Sequence, residues 1–314
     1  MATLNPRGIV AGLLLCAAVS LTGCSTGPSA DDATVVIAEP SSATPPAATN
    51  ETEPAEPVAV AEPPPAAEAA TTPEAAPAEA PAAEGWGTLK GRVVFDGDAP
   101  EPAVLVAKGD NSVQGGAVCS AKAILSEKLV VNPENKGIRH AIVYIPKPSA
   151  VNDDAVSAAK ATDAVFDQKG CKFVPHVLVA MKGTKVDVNS SDPVTHNINV
   201  KLPRNKANLT VAPGVTLPPV ELKNAEVKPG EVVCDIHTWM KAYWLVLDSP
   251  YFAVTDKDGN FTLKNVPAGS QKVVVWQESA PGGFLTPASG EPVNVASGGE
   301  TTKDFTLKAS DAAK

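Results

Sequence analysis

The chain has 314 residues and a formal net charge of −9, and that charge is unevenly distributed. Residues 25–84 contain 11 acidic residues and no Lys or Arg, whereas residues 85–314 are close to neutral. A near-neutral folded part lacks the basic face that a nucleic-acid-binding protein needs. The sequence also contains no Gly-x-Ser-x-Gly elbow, no P-loop and no His-Glu-x-x-His motif, which argues against the enzyme classes that use them.

Residues 1–23 have the pattern of a secretion signal, in which Arg7 precedes an apolar core from Gly8 to Leu21. The core ends in Leu21-Thr-Gly-Cys24, which resembles the lipobox of bacterial lipoproteins. This resemblance implies cleavage before Cys24 and a lipid on that cysteine. It also implies a cell-envelope protein that faces the periplasm, and Ser25 implies sorting to the outer membrane. The alternative is an ordinary signal peptide in which Cys24 is incidental.

Residues 24–85 form a segment of low complexity that is rich in Pro, Ala and Glu. Residues 25–84 alone hold 12 Pro and 19 Ala and no aromatic residue. Such a composition cannot bury enough apolar surface to offset the entropy of ordering the chain. We therefore predict a disordered acidic linker that separates the folded part from the membrane.

From Trp86 onward, short runs rich in Val, Ile and Thr alternate with Gly, Pro, Asn and Asp, a pattern typical of an all-β sandwich or barrel. Helical composition occurs only at 151–164. The predicted strands are Gly87–Phe95, Arg139–Ile145, Val177–Ala180, Lys185–Asn189, Asn197–Lys201, Val232–Cys234, Tyr243–Leu247, Phe252–Thr255, Asn260–Leu263 and Lys272–Trp276.

One group of residues has the composition of a copper site. His196 is followed about 40 residues later by Cys234, His237 and Met240 in the spacing Cys-x-x-His-x-x-Met. A thiolate and two imidazoles form a trigonal set that suits copper in both oxidation states, and a thioether is a weak axial ligand that tunes the potential. The alternative is a β-sandwich in which these are ordinary core or loop residues.

This stretch resembles the cupredoxins, whose pattern is followed in order from Phe173-Val-Pro175 to the short loop ending at Met240. The loop spacing is most similar to that of amicyanin. The resemblance covers about residues 164–248 and implies a Greek-key sandwich with one type 1 copper. It implies that His196, Cys234 and His237 are equatorial ligands and that Met240 is axial. Asn197 would hold the Cys loop, and His237 would be partly exposed for electron exit.

The resulting hypothesis is a lipid-anchored, non-enzymatic blue-copper protein. Its single copper would alternate between Cu(I) and Cu(II) and pass one electron at a time to an unidentified periplasmic redox partner. Two alternatives are a sandwich that binds carbohydrate or protein, and a copper storage or delivery lipoprotein. One departure from the cupredoxin pattern is Val232-Val233 where an aromatic residue usually precedes the Cys. Trp239 and Trp244 are candidates to supply that packing.

The remaining cysteines and histidines leave several readings open. If Cys16 leaves with the signal, Cys24 is lipidated and Cys234 binds copper, then Cys119 and Cys171 remain for a disulfide in an oxidising compartment. Two unpaired thiols, or a redox-active pair, are the alternatives. His176 is either a hydrogen-bonded strand residue or part of a second metal site beside Cys171. His140, which precedes a predicted strand, is likewise either a structural residue or a metal ligand.

The segments on either side of the copper region resemble a carboxypeptidase regulatory-like domain, a small transthyretin-like sandwich. Gly87–Gly97 is similar to its first strand, and Val254–Gly269 is similar to its later hairpin and Pro-x-Gly turn. This resemblance implies a split domain, in which 86–150 and 249–310 form one sandwich around an inserted cupredoxin of 164–248. The competing view is two complete domains in series.

Overall fold

Twenty-one strands carry most of the regular structure in the computed structural model, which describes residues 84–161 and 164–312. The strands are β1 (Trp86–Asp96), β2 (Val104–Val106), β3 (Ile124–Leu125), β4 (Val130–Val131), β5 (Ile138–Arg139), β6 (Ile142–Tyr144), β7 (Ala164–Gln168), β8 (Phe173–Val174), β9 (Val177–Met181), β10 (Lys185–Ser190), β11 (His196–Val200), β12 (Ala207–Val211), β13 (Val220–Glu221), β14 (Gly230–Val233), β15 (Lys241–Leu247), β16 (Phe252–Val254), β17 (Asn260–Pro267), β18 (Gly269–Trp276), β19 (Glu291–Val295), β20 (Glu300–Thr302) and β21 (Phe305–Lys308). The helices are α1 (Gly116–Cys119), α2 (Asp153–Lys160) and a 3-10 turn at Pro281–Gly283.

The prediction of an all-β fold is confirmed. The signal peptide, Cys24 and nearly all of the predicted linker lie outside the described residues.

Two sheets are built from strands at the two ends of the described chain. In one, β1 pairs antiparallel with β17 and parallel with β20 and β21. In the other, the order is β16-β6-β18-β19. The core between these sheets includes Leu89, Val93, Val143, Val275 and Phe305. Because β1 is central to the first sheet, strands far apart in sequence share one core. The bounds 86–150 and 249–310 for a separate domain stay a prediction.

Two more sheets come from residues 164–247 and face each other as a second sandwich, and two small sheets, β2-β3 and β4-β5, complete the set among the described residues. The sheets of this second sandwich have the orders β13-β10-β7-β8 and β12-β11-β14-β15-β9. β7 and β10 run parallel, as do β9 and β15. The core between them includes Phe166, Phe173 and Trp244. The rings of Phe166 and Trp244 meet edge to face, with centroids 4.9 Å apart, which favours a fixed core geometry.

A third apolar layer joins the two sandwiches. Ile142 and Tyr144 of β6 pack with Val274 and Trp276 of β18 and with Leu245 of β15. The alternate residues of the same strands face the other cores, since side chains of a strand point to opposite faces. The continuous apolar runs of β6, β15 and β18 therefore follow from burial on both faces of the strand.

Residues next to each of the two helices explain where the helix begins. α2 begins after Asn152, whose side chain accepts a hydrogen bond from the N–H of Ala155, as expected of an N-cap. It agrees with the helical composition seen at 151–164. α1 is a single turn that sequence analysis did not predict. It follows Gly115, whose φ of +67° is accessible mainly to glycine. No helix among the described residues is long and apolar enough to cross a membrane.

Candidate metal centre

The loop between β14 and β15 holds three of the predicted ligands in a closed conformation. The N–H of Cys234 donates to the carbonyl of Met240 at 3.2 Å, and the N–H of Met240 donates to the carbonyl of His237 at 2.8 Å. The N–H of His237 in turn donates to Sγ of Cys234 at 3.3 Å. These three bonds hold the backbone of the loop closed around the Cys234 sulfur.

His196, the first residue of β11, faces this loop from the neighbouring strand. The structure brings its Nδ1 to 2.9 Å from Nδ1 of His237. Nδ1 of His237 lies 3.8 Å from Sγ of Cys234. One atom from each of these three residues lies within 4.8 Å of the others, and all three residues are buried. The three donor atoms therefore point to a common position.

Cys234 is suited to serve as a ligand. It is the free cysteine among the described residues and is only 1% exposed. Its sulfur accepts hydrogen bonds from two backbone N–H groups, those of Asn197 at 3.5 Å and His237 at 3.3 Å. Both bonds orient the sulfur as an acceptor and leave it facing the two imidazoles.

Asp192 determines which nitrogen of His196 is available. Its Oδ2 lies 3.0 Å from Nε2 of His196. A carboxylate accepts from an N–H, so the proton of the neutral ring is at Nε2 and the lone pair is at Nδ1, towards Cys234. Sequence analysis did not identify Asp192, although its place four residues before His196 was a usable signal.

The electrostatics keep both imidazoles able to bind a metal. Burial lowers the pKa of His196 below its usual value, and the hydrogen bond and charge of Asp192 act in the opposite direction. Burial lowers the pKa of His237 as well, and repulsion from His196 adds to that effect. Neutral imidazoles carry the lone pairs that a metal requires.

Asn197 fastens the Cys loop from outside, the position that the cupredoxin resemblance implies. Its Oδ1 accepts from the N–H of Asp235 at 2.6 Å. Its Nδ2 donates to Oδ2 of Asp235 and to Oδ1 of Asn208, both at 2.9 Å. Asn199 also donates to Asp235. A network of amides therefore holds residue 235 against β11 and β12.

His237 is not exposed, and the expectation of a partly exposed electron-exit ligand is wrong. It is 1% exposed because residues 113–119, here called the cap, cover its ring edge. A Cβ on Gly115 would lie 3.3 Å from Nε2 of His237 and 3.4 Å from Sγ of Cys119. Nε2 is buried beside the backbone of Gln114 without a hydrogen bond of regular geometry. No sequence spacing indicated the cap.

A disulfide attaches the cap to the metal-binding sandwich. Cys119 in α1 is bonded to Cys171, with Cα atoms 5.3 Å apart. Cys171 therefore offers no thiolate, so the group of Cys171, Asp192 and His196 does not form a second thiolate site. Asp192 also accepts from the N–H of Cys171 at 2.8 Å, which links the disulfide to the ligand His196.

The remaining predicted residues surround the site. Met240 is 1% exposed and packs in the same core as Cys234. Trp239 lies against His237, with ring centroids 5.1 Å apart, and its Nε1 donates to the carbonyl of Cys171 at 3.0 Å. Trp244 is fully buried in the core below. Aromatic packing at the site thus comes from residues after the Cys.

The donor set fits copper on its own chemistry. A buried thiol and two imidazole nitrogens converge, and Nε2 of His196 is already bonded to a carboxylate. Sulfur and imidazole ligands in a trigonal arrangement are typical of blue-copper sites.

Comparisons with known proteins find solved structures that resemble part of this chain, but they find no match at the level of sequence. No protein-family model matches the sequence, and no curated protein does. A purple cupredoxin from Nitrosopumilus maritimus is 20% identical, with 27% of this chain and 99% of that chain covered, at a TM-score of 0.23. A Cu(I) amicyanin variant is 17% identical, with 33% and 97% covered, at a TM-score of 0.23.

A third neighbour is a copper-containing nitrite reductase from Thermus scotoductus SA-01. It is 18% identical, with 27% of this chain covered, at a TM-score of 0.24. The match spans only 22% of that chain, so nothing of its activity transfers to this chain. The neighbours are cupredoxins or contain copper, but the assignment of ligands rests on the distances given above.

Proposed function

We propose that this chain is a mononuclear copper electron-transfer protein. Its equatorial ligands are His196, Cys234 and His237, with Met240 as a weak axial ligand. The observation that carries the proposal is the convergence of one buried free thiol and two imidazole nitrogens within 4.8 Å. Copper bound there would supply one-electron chemistry by alternating between Cu(I) and Cu(II).

The surrounding residues suit a site whose geometry stays constant. Backbone hydrogen bonds hold the 234–240 loop, Asp192 fixes the ring of His196, and Asn197 fastens Asp235. Ligands held in this way need little movement when a metal changes its charge. Little rearrangement favours electron transfer over chemistry that requires a ligand to leave.

The cap argues against catalysis at the metal and against rapid delivery of copper. Residues 113–119 cover His237 and leave it 1% exposed, so a substrate or a receiving protein has no direct access to that edge. A covered site favours metal retention. Copper storage or delivery, and a binding module without copper, are the alternatives that the experiment below separates.

The cellular setting is part of the same proposal. The lipobox-like end at Cys24 supports a lipid anchor in the cell envelope, with the folded part facing the periplasm. Ser25 after that cysteine favours the outer membrane. The Cys119–Cys171 bond supports export, since disulfides persist in oxidising compartments. The partner would then be a periplasmic redox protein.

The experiment is a copper titration of the purified chain followed by visible absorption and EPR. One Cu(II) per chain should give an intense thiolate-to-copper band. Cys234→Ser should abolish that band, because the thiolate supplies the transition. Met240→Leu should keep it and raise the reduction potential, because the axial donor is lost.

Three results decide between the alternatives. Reversible one-electron cycling without metal loss supports electron transfer, whereas copper release on reduction supports delivery. A colourless Cu(II)-loaded protein with Cys234 demonstrably reduced would overturn the proposal and leave the binding-module alternative.

A further inference from the structure

A second cluster of metal-ligand side chains lies on the other side of Trp239 and Met240. A cavity of about 340 Å³ is lined by Glu127, His176 and Glu278 together with those two residues. Nε2 of His176 lies 3.0 Å from Oε1 of Glu278. Nε2 of His140 lies 3.9 Å from Oε1 of Glu127. Two imidazole–carboxylate pairs thus lie beside the proposed copper centre without belonging to it.

His140 has an unsatisfied nitrogen that points into this cluster. The residue is 8% exposed, and its Nε2 is buried with no hydrogen-bond partner. A buried polar atom without a partner has lost its hydration without compensation, which destabilises the folded state. At 3.9 Å the nearest carboxylate oxygen is too far for a hydrogen bond. Two donors of one tetrahedral ion, each at about 2.0–2.1 Å, lie roughly 3.3 Å apart, so this pair would have to close by roughly half an ångström to share an ion.

The backbone at His140 is also unusual. Its φ is +69°, in the left-handed region that non-glycine residues seldom adopt. Such conformations are strained and are found preferentially at functional sites. In this case the conformation accompanies an imidazole whose free nitrogen faces Glu127.

The relative placement of the two rings fits shared coordination. The ring centroids of His140 and His176 are 5.2 Å apart, with the ring planes at 57°. Two imidazoles bound to one tetrahedral ion through nitrogens at about 2.0–2.1 Å would have centroids roughly 5 Å apart. The ring spacing therefore suits a shared ion, but no three donor atoms of these four residues lie within 4.8 Å of one another, so binding requires the side chains to draw together.

Both carboxylates are oriented by a further partner. Lys172 bonds Oε2 of Glu127 at 3.2 Å, which leaves Oε1 directed at His140. Tyr243 hydrogen-bonds to Glu278, and burial together with the Glu278 charge raises the Tyr243 pKa. Outer partners of this kind are characteristic of metal sites, where they orient the ligands.

We propose that His140, His176, Glu127 and Glu278 form a second metal site, which binds a divalent transition-metal ion such as Zn²⁺. The ligands come from all parts of the folded chain: Glu127 precedes β4, His140 follows β5, His176 precedes β9 and Glu278 follows β18. An ion bound there ties the metal-binding sandwich to the other one. Glu127, with 22% of its side chain exposed, is the most exposed of the four ligands and therefore the one with most freedom to move when the site closes.

The test is Zn²⁺ binding to the purified full chain, measured by equilibrium dialysis with elemental analysis. His140→Gln should bind one Zn²⁺ fewer per chain than wild type. Loss of an outer partner alone weakens metal affinity about 10–100-fold, so Glu127→Gln, which removes a direct ligand, should weaken it by at least that factor. Glu221→Gln, an exposed carboxylate on β13, is the matched control and should bind as wild type does.

The second site is separable from the proposed copper centre. Cys234→Ser should leave the His140-dependent Zn²⁺ in place even if the copper proposal fails. In the Cys234→Ser background, saturating Zn²⁺ should raise the melting temperature, but it should not do so once Glu127→Gln is added, because a ligand that binds the folded state stabilises it. Since Glu127 is partly exposed, that variant tests the site even if His140→Gln does not fold. Equal Zn²⁺ stoichiometry and affinity in wild type, His140→Gln and Glu127→Gln would overturn the proposal.

Discussion

Oδ2 of Asp192 lies 3.0 Å from Nε2 of His196 and also accepts the N–H of Cys171 at 2.8 Å. One carboxylate oxygen therefore joins a candidate metal ligand to the disulfide that holds the cap. The other oxygen, Oδ1, accepts the N–H of Gly170 at 2.6 Å. Any change at Asp192 acts on the ring of His196 and on the backbone at 170–171 together.

Asp192→Asn should weaken copper binding by about 10–100-fold, the usual effect of losing an outer partner of a ligating histidine. The amide group replaces one of the two acceptor oxygens, so it cannot serve all three N–H donors. Affinity is measured by competition with a chelator. Asp256→Asn is the matched control, because Asp256 accepts from the N–H groups of Asp258 and Asn260 in the exposed turn between β16 and β17, away from the ligands. Equal affinities in the two variants would show that Asp192 does not position His196.

Gly115→Ala tests the contact between the cap and His237, and Gly214→Ala is its matched control. Both glycines have nearly the same positive φ, +67° and +68°, so the backbone penalty of a side chain is similar, roughly 1–2 kcal/mol. Only at Gly115 would the added Cβ approach His237 and Cys119, whereas nothing lies within 4 Å at Gly214.

Chemical denaturation should therefore show Gly115→Ala to be the less stable variant, and its copper spectrum should differ from that of wild type. Gly214→Ala should leave the spectrum unchanged. If the two variants are equally stable and both spectra are unchanged, the cap does not contact the ligand as the structure describes.

Tyr144 makes the stability of the protein sensitive to alkaline pH. It lies in the layer between the two sandwiches, 2% exposed, and burial raises its pKa to about 12. Between pH 10 and 12 the unfolded state loses the phenolic proton and the folded state keeps it. Stability therefore falls as pH rises through that window.

Tyr144→Phe should reduce the slope of unfolding free energy against pH in this window, by up to about 1.4 kcal/mol per pH unit for one proton. Urea denaturation at pH 9, 10, 11 and 12 measures the slope. Below pH 9 the two proteins should show the same dependence. An unchanged slope above pH 10 would mean that Tyr144 ionises normally in the folded protein.

A fragment of residues 249–314 tests the proposed split domain. It lacks β1, which pairs with β17, β20 and β21, so three strands would lose their shared neighbour. We expect this fragment to aggregate or stay unfolded, because unpaired sheet edges promote association. Co-expression with residues 86–150 should increase its solubility. A soluble fragment that melts cooperatively alone would favour two domains in series.

The parts of the fold that sequence predicts are those with local signals. Alternating apolar residues identify β1, and continuous apolar runs identify β15 and β18. β12 was missed because three of its five residues are exposed and it carries Asn208 and Thr210. The two-residue strands β4 and β8 pair with the neighbouring strands β5 and β7 across short turns, but two residues are too few to show an alternating pattern in the sequence.

The same distinction applies to the sites. His196 and the 234–240 loop could be selected from spacing, because a tight loop fixes geometry within a few residues. The cap depends on contact between Gly115 and His237, which lie far apart in sequence. The cluster around His140 is assembled from four distant segments, so its members have no spacing that could identify them.

The Cys119–Cys171 bond has a consequence for how the protein matures. The cap is joined covalently to the sandwich that it covers, and its own apolar contacts are limited to residues such as Val113 and Val118. Before the two thiols are oxidised, these weak contacts alone hold the cap in place, and Nε2 of His237 is then easiest to reach. If the chain is exported as proposed, the disulfide forms only after export to an oxidising compartment, and we then expect ion insertion to be fast in the still reduced chain. Formation of the disulfide would then slow metal exchange, so that metal added to the oxidised protein equilibrates over a much longer time.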